Sequence, residues 1–136
     1  VTGFVNDSRT GTPLGRMSLT GRPDRRDVRR WIRGVLSERF DVHTLVDVLL
    51  VAGELIGNAY EHTTRPVELR IAHTGFGVLL EVEDADPDHP TAMAASDLVW
   101  GGRGVQVLVE LATSWGVRVD GGGKTVWAVL PVVGSR

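Results

Sequence analysis

Hydrophobic and polar positions along this chain repeat with two periods, and each change of period marks a predicted element. Val28, Trp31, Ile32, Val35 and Leu36 recur at spacings of three and four, which predicts a helix burying one stripe. Pro23-Asp24 opens it, with negative charge near the N-terminus, and it fades near Arg39–Asp41. A second helix runs from His43 or Thr44 to Thr63 and stops at Arg65-Pro66. Val67, Leu69 and Ile71 then alternate with Glu68 and Arg70, the period of a half-buried strand. The turn Thr74–Gly77 returns the chain into Val78–Asp84, predicting a hairpin. Val105–Ala112 reads as a short apolar helix, Ser114–Val119 as a strand, and Lys124–Val132 as a last strand entered through three glycines. Arg16–Thr20 is a short first strand, residues 1–15 are a loose tail, and residues 16–136 form one domain. Residues 85–104 hold no period, and a loop of that length inside one domain is usually functional or mobile. The order β-α-α-β-β-loop-α-β-β predicts an α+β fold, a two-layer sandwich with about three helices on one face of a mixed, mainly antiparallel sheet.

The second helix carries an unusual pattern. Val46, Val48, Leu49, Leu50, Val51, Leu55 and Ile56 cover most of its circumference. Asp47, Glu54, Asn58 and Glu61 fall in one narrow band at 100° per residue. That band faces solvent or lines a pocket. Asn is a poor residue for an exposed helix interior, because its side chain competes for backbone hydrogen bonds. Its amide oxygen is a good neutral ligand for a hard cation such as magnesium. Glu54, one turn earlier, has the chemistry to polarise a water or hydroxyl at the same place.

Composition narrows the classes without choosing one. The 136 residues, 42% hydrophobic and 24% charged, suit one globular domain. A net charge of −2 gives no global pull toward nucleic acid or an acidic membrane. Arg22, Arg25, Arg26, Arg29, Arg30 and Arg33 do cluster, but Asp24 and Asp27 are interspersed, so a solvated helix face is preferred over a nucleic-acid surface. Cysteine is absent, which removes disulfides, zinc thiolates and thiol nucleophiles. No apolar run is read as reaching the roughly 20 residues that span a bilayer, and the expected location is the cytoplasm.

Further segments carry candidate chemistry. Strand Val78–Asp84 ends in Glu83-Asp84, and a carboxylate at a strand end can accept from an exocyclic amine or simply cap an Asx turn. Gly101-Gly102-Arg103-Gly104 precedes the short helix, where backbone N–H groups and the helix N-terminus favour phosphate, or the glycines serve as a joint. Gly123-Lys124-Thr125 enters the last strand and brings a hydroxyl. The P-loop signature is missing.

Taken in order, these segments resemble the GHKL superfamily of Bergerat-fold ATPases, which includes gyrase and the histidine kinases. Within it the chain is most similar to the small bacterial anti-sigma factor serine/threonine kinases. The resemblance spans about Arg16 to Val132. Glu54-Leu-Ile-Gly-Asn58-Ala-Tyr-Glu-His62 matches the N box, Asp84 the first glycine box, Gly102-Arg103-Gly104 the second, and Gly123-Lys-Thr125 the last motif.

The resemblance implies ATP and Mg²⁺ as ligands. It implies Asn58 on the metal, Glu54 as general base and Asp84 as acceptor for the adenine amino group, with Thr125 in support. Gly102 and Gly104 would close a lid on the phosphates, and Arg103 or His62 would add a phosphate contact. The implied partners are a sigma factor and an anti-sigma antagonist carrying the target serine, and homodimerisation through the first strand or helix is a further implication. A module that holds ATP without turning it over is the alternative. One departure stands out: the family commonly has glycines after the aspartate, where this chain has Asp86 and Asp88. Glycine permits close approach and positive φ, and extra carboxylates repel a polyanion.

Overall fold

Asp24 caps the first helix: its carboxylate accepts from the Arg26 N–H at 2.8 Å, and α1 follows over Arg25–Leu36. The computed structural model describes residues 11–62, 65–75, 77–85, 104–120 and 122–132. Its elements are β1 (Thr12–Ser18), α1, α2 (Val42–His62), β2 (Pro66–His73), β3 (Gly77–Asp84), α3 (Gly104–Leu111), β4 (Ser114–Asp120) and β5 (Gly123–Pro131). The predicted order therefore stands; β1 starts four residues earlier than expected, and most other elements start one residue earlier. β1 begins at Thr12 rather than Arg16, because Thr12 and Pro13 pair with His73 and Ala72 at the end of β2. α2 begins at Val42 rather than His43, because Asp41 accepts from the Thr44 N–H at 3.0 Å and satisfies a free donor of the first turn.

The five strands form one sheet in the order β1-β2-β3-β5-β4. Each pairing among the described strands is antiparallel, which agrees with the expected α+β fold and its mainly antiparallel sheet. The helices lie over one face. Val28, Ile32 and Leu36 from α1 and Val48, Val51, Ala52 and Leu55 from α2 share a core with Leu69, Ile71, Val78, Leu80, Val82, Val126, Ala128 and Leu130. Each buried branched or aliphatic side chain there contributes about 1.5–3 kcal/mol relative to exposure.

No second helical layer covers the other face among the described residues; a charged sheet surface lies there instead. Arg70 reaches Glu83 at 2.7 Å, Glu81 at 3.3 Å and Glu68 at 3.3 Å. Arg16 and Arg118 extend the network to Glu68 and Glu81. Burial opposes the Arg70 charge, but its hydrogen bonds and attraction to these carboxylates outweigh that cost and raise its pKa. The side chains of Leu79, Trp127 and Val129 are buried on this face.

One expectation about α2 needs correction. The window Val42–Glu61 has a mean hydropathy of 1.4, so by length and composition it is apolar enough to cross a membrane. Its polar groups are too few to lower the average. The face bearing Val48, Val51, Ala52 and Leu55 nevertheless packs on the sheet, as a core helix does.

Candidate functional site

α2 decides where the polar band points. Val48, Val51, Ala52 and Leu55 define its buried side. The directions most open to solvent belong to Val42, Val46 and Leu50, which are 63%, 47% and 52% exposed, and to Gly53 and Gly57. Asp47, Glu54 and Asn58 lie between these two sides and are half-buried. The band is thus not the solvent stripe of the helix, whereas Glu61 at its end is exposed.

On the flank toward α1, Tyr60 anchors the helix to the turn after β1. Its hydroxyl donates to the Leu19 carbonyl at 2.5 Å, and the Arg22 guanidinium stacks 4.5 Å from its ring centre. Burial raises the Tyr60 pKa, against a smaller opposing pull from Arg22. Gly21 and Arg22 both take positive φ in this turn (85° and 57°), and the Arg22 N–H bonds back to the Leu19 carbonyl at 3.1 Å. A groove of about 380 Å³ opens beside it, lined by Arg25, Arg29, Leu49, Leu50, Gly53 and Glu54 among others. Asn58 and Asp84 are not part of that lining, so the groove is distinct from the place the motifs indicate. Glu54 stands at the edge between the two.

The end of the central hairpin carries the second half of the site. Asp84 closes β3 and sits opposite Lys124 of β5 in the register, with Val82 opposite Val126 behind them. Both side chains point to the helix-covered face. Their carboxylate and ammonium are each 3% exposed, and Lys124 Nζ donates to Asp84 Oδ2 at 2.7 Å. A buried ion pair of this kind draws its attraction from low dielectric and loses hydration of both groups.

Thr125 does not join them. It pairs with Glu83 and Arg118, on the face that carries Trp127 and Val129, because alternate residues of a strand point to opposite faces. Its expected support for Asp84 through its hydroxyl is therefore corrected: Lys124 occupies that place. Sequence reasoning noticed Lys124 beside the motif but gave it no role. No alternation along β5 could have found it, because Trp127 and Val129 on the other face are apolar and buried as well.

Gly123 explains how the two strand ends come so close. A Cβ on this residue would overlap the Asp84 carbonyl oxygen and lie 2.8 Å from the Ala85 Cα. Gly104 is the first residue of α3, which packs on α2. Gly102, Arg103, Asp86 and Asp88 lie outside the described residues, as does the side chain of His62 at the end of α2.

For a metal, the described residues offer no convergent group of three His, Asp or Glu side chains. Magnesium suits such a donor set when one or two protein oxygens join water and substrate phosphates. The Asn58 amide oxygen, half-buried beside Glu54, fits that use.

Among known proteins, the family model described as histidine kinase-like ATPase domain matches residues 22–130. Neither the curated proteins nor the solved structures provide a significant match. The matched span includes Glu54, Asn58, Asp84 and Lys124, and the antiparallel sheet with helices on one face agrees with that fold. The chain belongs to the histidine kinase-like ATPase domains of the GHKL superfamily.

Proposed function

We propose that the chain is an ATP- and magnesium-binding anti-sigma-type regulator, with serine kinase activity toward an anti-sigma antagonist and the capacity to sequester a sigma factor. The observation that carries this reading is the half-buried pair Glu54 and Asn58, one helical turn apart and clear of the solvent stripe. The family supports an ATP-binding site of the ATPase type. A general base beside the metal ligand extends it to a protein hydroxyl.

In this reading Asp84 accepts from the adenine amino group and Asn58 contributes an oxygen to Mg²⁺. The metal, when bound, neutralises charge on the phosphate oxygens. Glu54 takes the proton of the serine hydroxyl as that oxygen bonds to the γ-phosphorus. The bond from the γ-phosphorus to the bridging oxygen breaks, and its electron pair leaves with ADP. The serine and its backbone are supplied by the antagonist.

Phosphoserine formation on a cognate antagonist, with Mg-ATP and purified protein, tests the proposal. Glu54→Gln is expected to lower the transfer rate about 10²–10⁴-fold, the range for a general base, while ATP affinity stays within about twofold. Transfer at the wild-type rate in that variant would remove Glu54 from the chemistry. ATP binding with no transfer by the wild type would leave a partner-switch module without kinase turnover.

A further inference from the structure

The groove between α1 and α2 is distinct from the place of Asn58 and Asp84, neither of which lines it. Its floor is apolar, with Val28 and Ile32 from α1 and Leu49 and Ile56 from α2. The charged groups of its lining are three guanidiniums, on Arg22, Arg25 and Arg29, against one carboxylate, on Glu54. Arg22 is engaged on the Tyr60 ring. Arg25 and Arg29 are exposed and make no ion pair among the described residues. The acids beside them in sequence are already used: Asp24 caps α1, and Asp27 pairs with Arg30 at 3.4 Å.

The groove continues along α2. Val42, Val46, Leu50, Gly53 and Gly57 are exposed and fall within about 80° of the helix circumference at 100° per residue. An apolar stripe therefore runs along the helix and enters the groove at Leu50. A Cβ at Gly53 or Gly57 would meet nothing within 4 Å, so neither glycine is needed for packing within the chain. Glycine inside a helix is unfavourable relative to alanine, and here it keeps the groove open.

We infer that this groove docks a protein partner that presents an acidic amphipathic helix. The partner helix lays its apolar side on Leu49, Leu50 and Ile56 and sets its carboxylates beside Arg25 and Arg29. A stripe at spacings of four, four, three and four is what a second helix matches, whereas a compact ligand makes no use of Val42 and Val46. The excess of guanidinium selects an acidic partner over a basic one. Nucleic acid is also anionic, but the apolar floor gives its phosphates nothing to bind. Glu54 stands at the groove edge, so the docked partner also lies beside the general base; that consequence alone rests on the kinase reading above.

Fluorescence anisotropy with a labelled synthetic helical peptide, in the absence of nucleotide, tests the docking. The probe repeats leucine at spacings of three and four with glutamate flanking that stripe, and a matched peptide carries lysine in place of each glutamate. The wild type is expected to bind the glutamate peptide saturably and the lysine peptide about tenfold or more weakly. The double variant Arg25→Glu with Arg29→Glu should reverse that preference. Gly53→Leu fills the groove from a position with open space around its Cβ, and should weaken the glutamate peptide about tenfold or more at an unchanged Tm. Equal or absent binding of both peptides to wild type would overturn the inference, as would a preference that survives charge reversal. Capture by phosphatidylserine vesicles without peptide binding would assign the groove to a lipid surface instead. A wild-type dimer in sedimentation that Gly53→Leu dissociates would assign it to a second copy of the chain. The wild-type comparison needs no substitution, so poor folding of a variant leaves the test intact. No nucleotide enters these measurements, so failure of docking and failure of the ATP reading are separate results.

Discussion

Asp84→Ala is expected to abolish measurable ATP binding and to lower the unfolding free energy by about 3–5 kcal/mol, the usual cost of breaking a buried ion pair. Lys124 would be left as a buried ammonium without its acceptor, since Asp84 Oδ2 is the partner of Nζ at 2.7 Å and both side chains are 3% exposed. For a domain of this size, the loss corresponds to a fall in Tm of roughly 10–20 °C. Stability and binding can be separated. The double variant Asp84→Leu with Lys124→Met replaces both charges by apolar groups of similar length, a change that is often neutral or stabilising. It should recover most of the lost Tm while ATP binding stays absent. Thermal melts and calorimetry on the two variants check this. Recovery of ATP binding in the double variant would show that Asp84 does not read the nucleotide.

Gly123→Ala is the second large effect. The new Cβ would overlap the Asp84 carbonyl oxygen, and the next nearest atoms are also backbone, Ala85 Cα at 2.8 Å and Asp84 C at 3.0 Å. A flexible side chain could rotate away, but these atoms move only if the strand end moves. Overpacking typically costs about 1–3 kcal/mol, and a backbone clash belongs at the upper end. Separation of β5 from β3 at this point also pulls Lys124 from Asp84, so ATP affinity is expected to fall about tenfold or more. Two other glycines serve as controls. A Cβ at Gly122 meets nothing within 4 Å, so Gly122→Ala should leave both properties nearly unchanged. A Cβ at Gly77 would overlap the Leu130 carbonyl oxygen, but Gly77 pairs with Pro131 at the far end of β3. Gly77→Ala should destabilise the fold without a selective effect on nucleotide. Equal loss of ATP affinity at Gly77 and Gly123 would place the binding defect in global unfolding rather than at the site.

Helix and strand order were legible because the period of each segment is clear and its punctuation conventional. Asp24 stands where a cap belongs, and Arg65-Pro66 ends α2. Asp41 was read as the fading end of α1, and its capping of Thr44 was missed, because one polar residue between two helices can serve either. The parity of β5 was not legible either. Three consecutive glycines, Gly121 to Gly123, leave the start of the strand open, and a slip of one residue exchanges the two faces. Thr125 entered the expected site for its hydroxyl and its place in the last motif, with nothing in the sequence to fix its face. Val126 to Leu130 are all apolar and buried, so only the pairing of β5 with β3 settles which of them face inward.

The polar band of α2 posed a different difficulty. With apolar residues over most of the circumference, periodicity could not tell which narrow sector meets water. The structure leaves that sector to Val42, Val46, Leu50 and two glycines, and half-buries Glu54 and Asn58. Asp84 was legible as a strand end, but not as one partner of a buried ion pair, since Lys124 is 40 residues away in sequence. The charged outer face was half visible in the alternation of Glu68 and Arg70 on β2. The burial of Trp127 and Val129 on that same face depends on the pairing of β5 with β3 and β4.

Mg-dependent ATP binding by calorimetry, comparing wild type with Asn58→Ala, addresses the nucleotide site most directly. Wild type should give a saturable heat with Mg-ATP. In Asn58→Ala, affinity for Mg-ATP should fall about tenfold or more, and the difference between the proteins should shrink when the metal is chelated. No heat with wild type, or equal affinity of both proteins for Mg-ATP, would contradict the assignment of Asn58 to a metal-bound nucleotide.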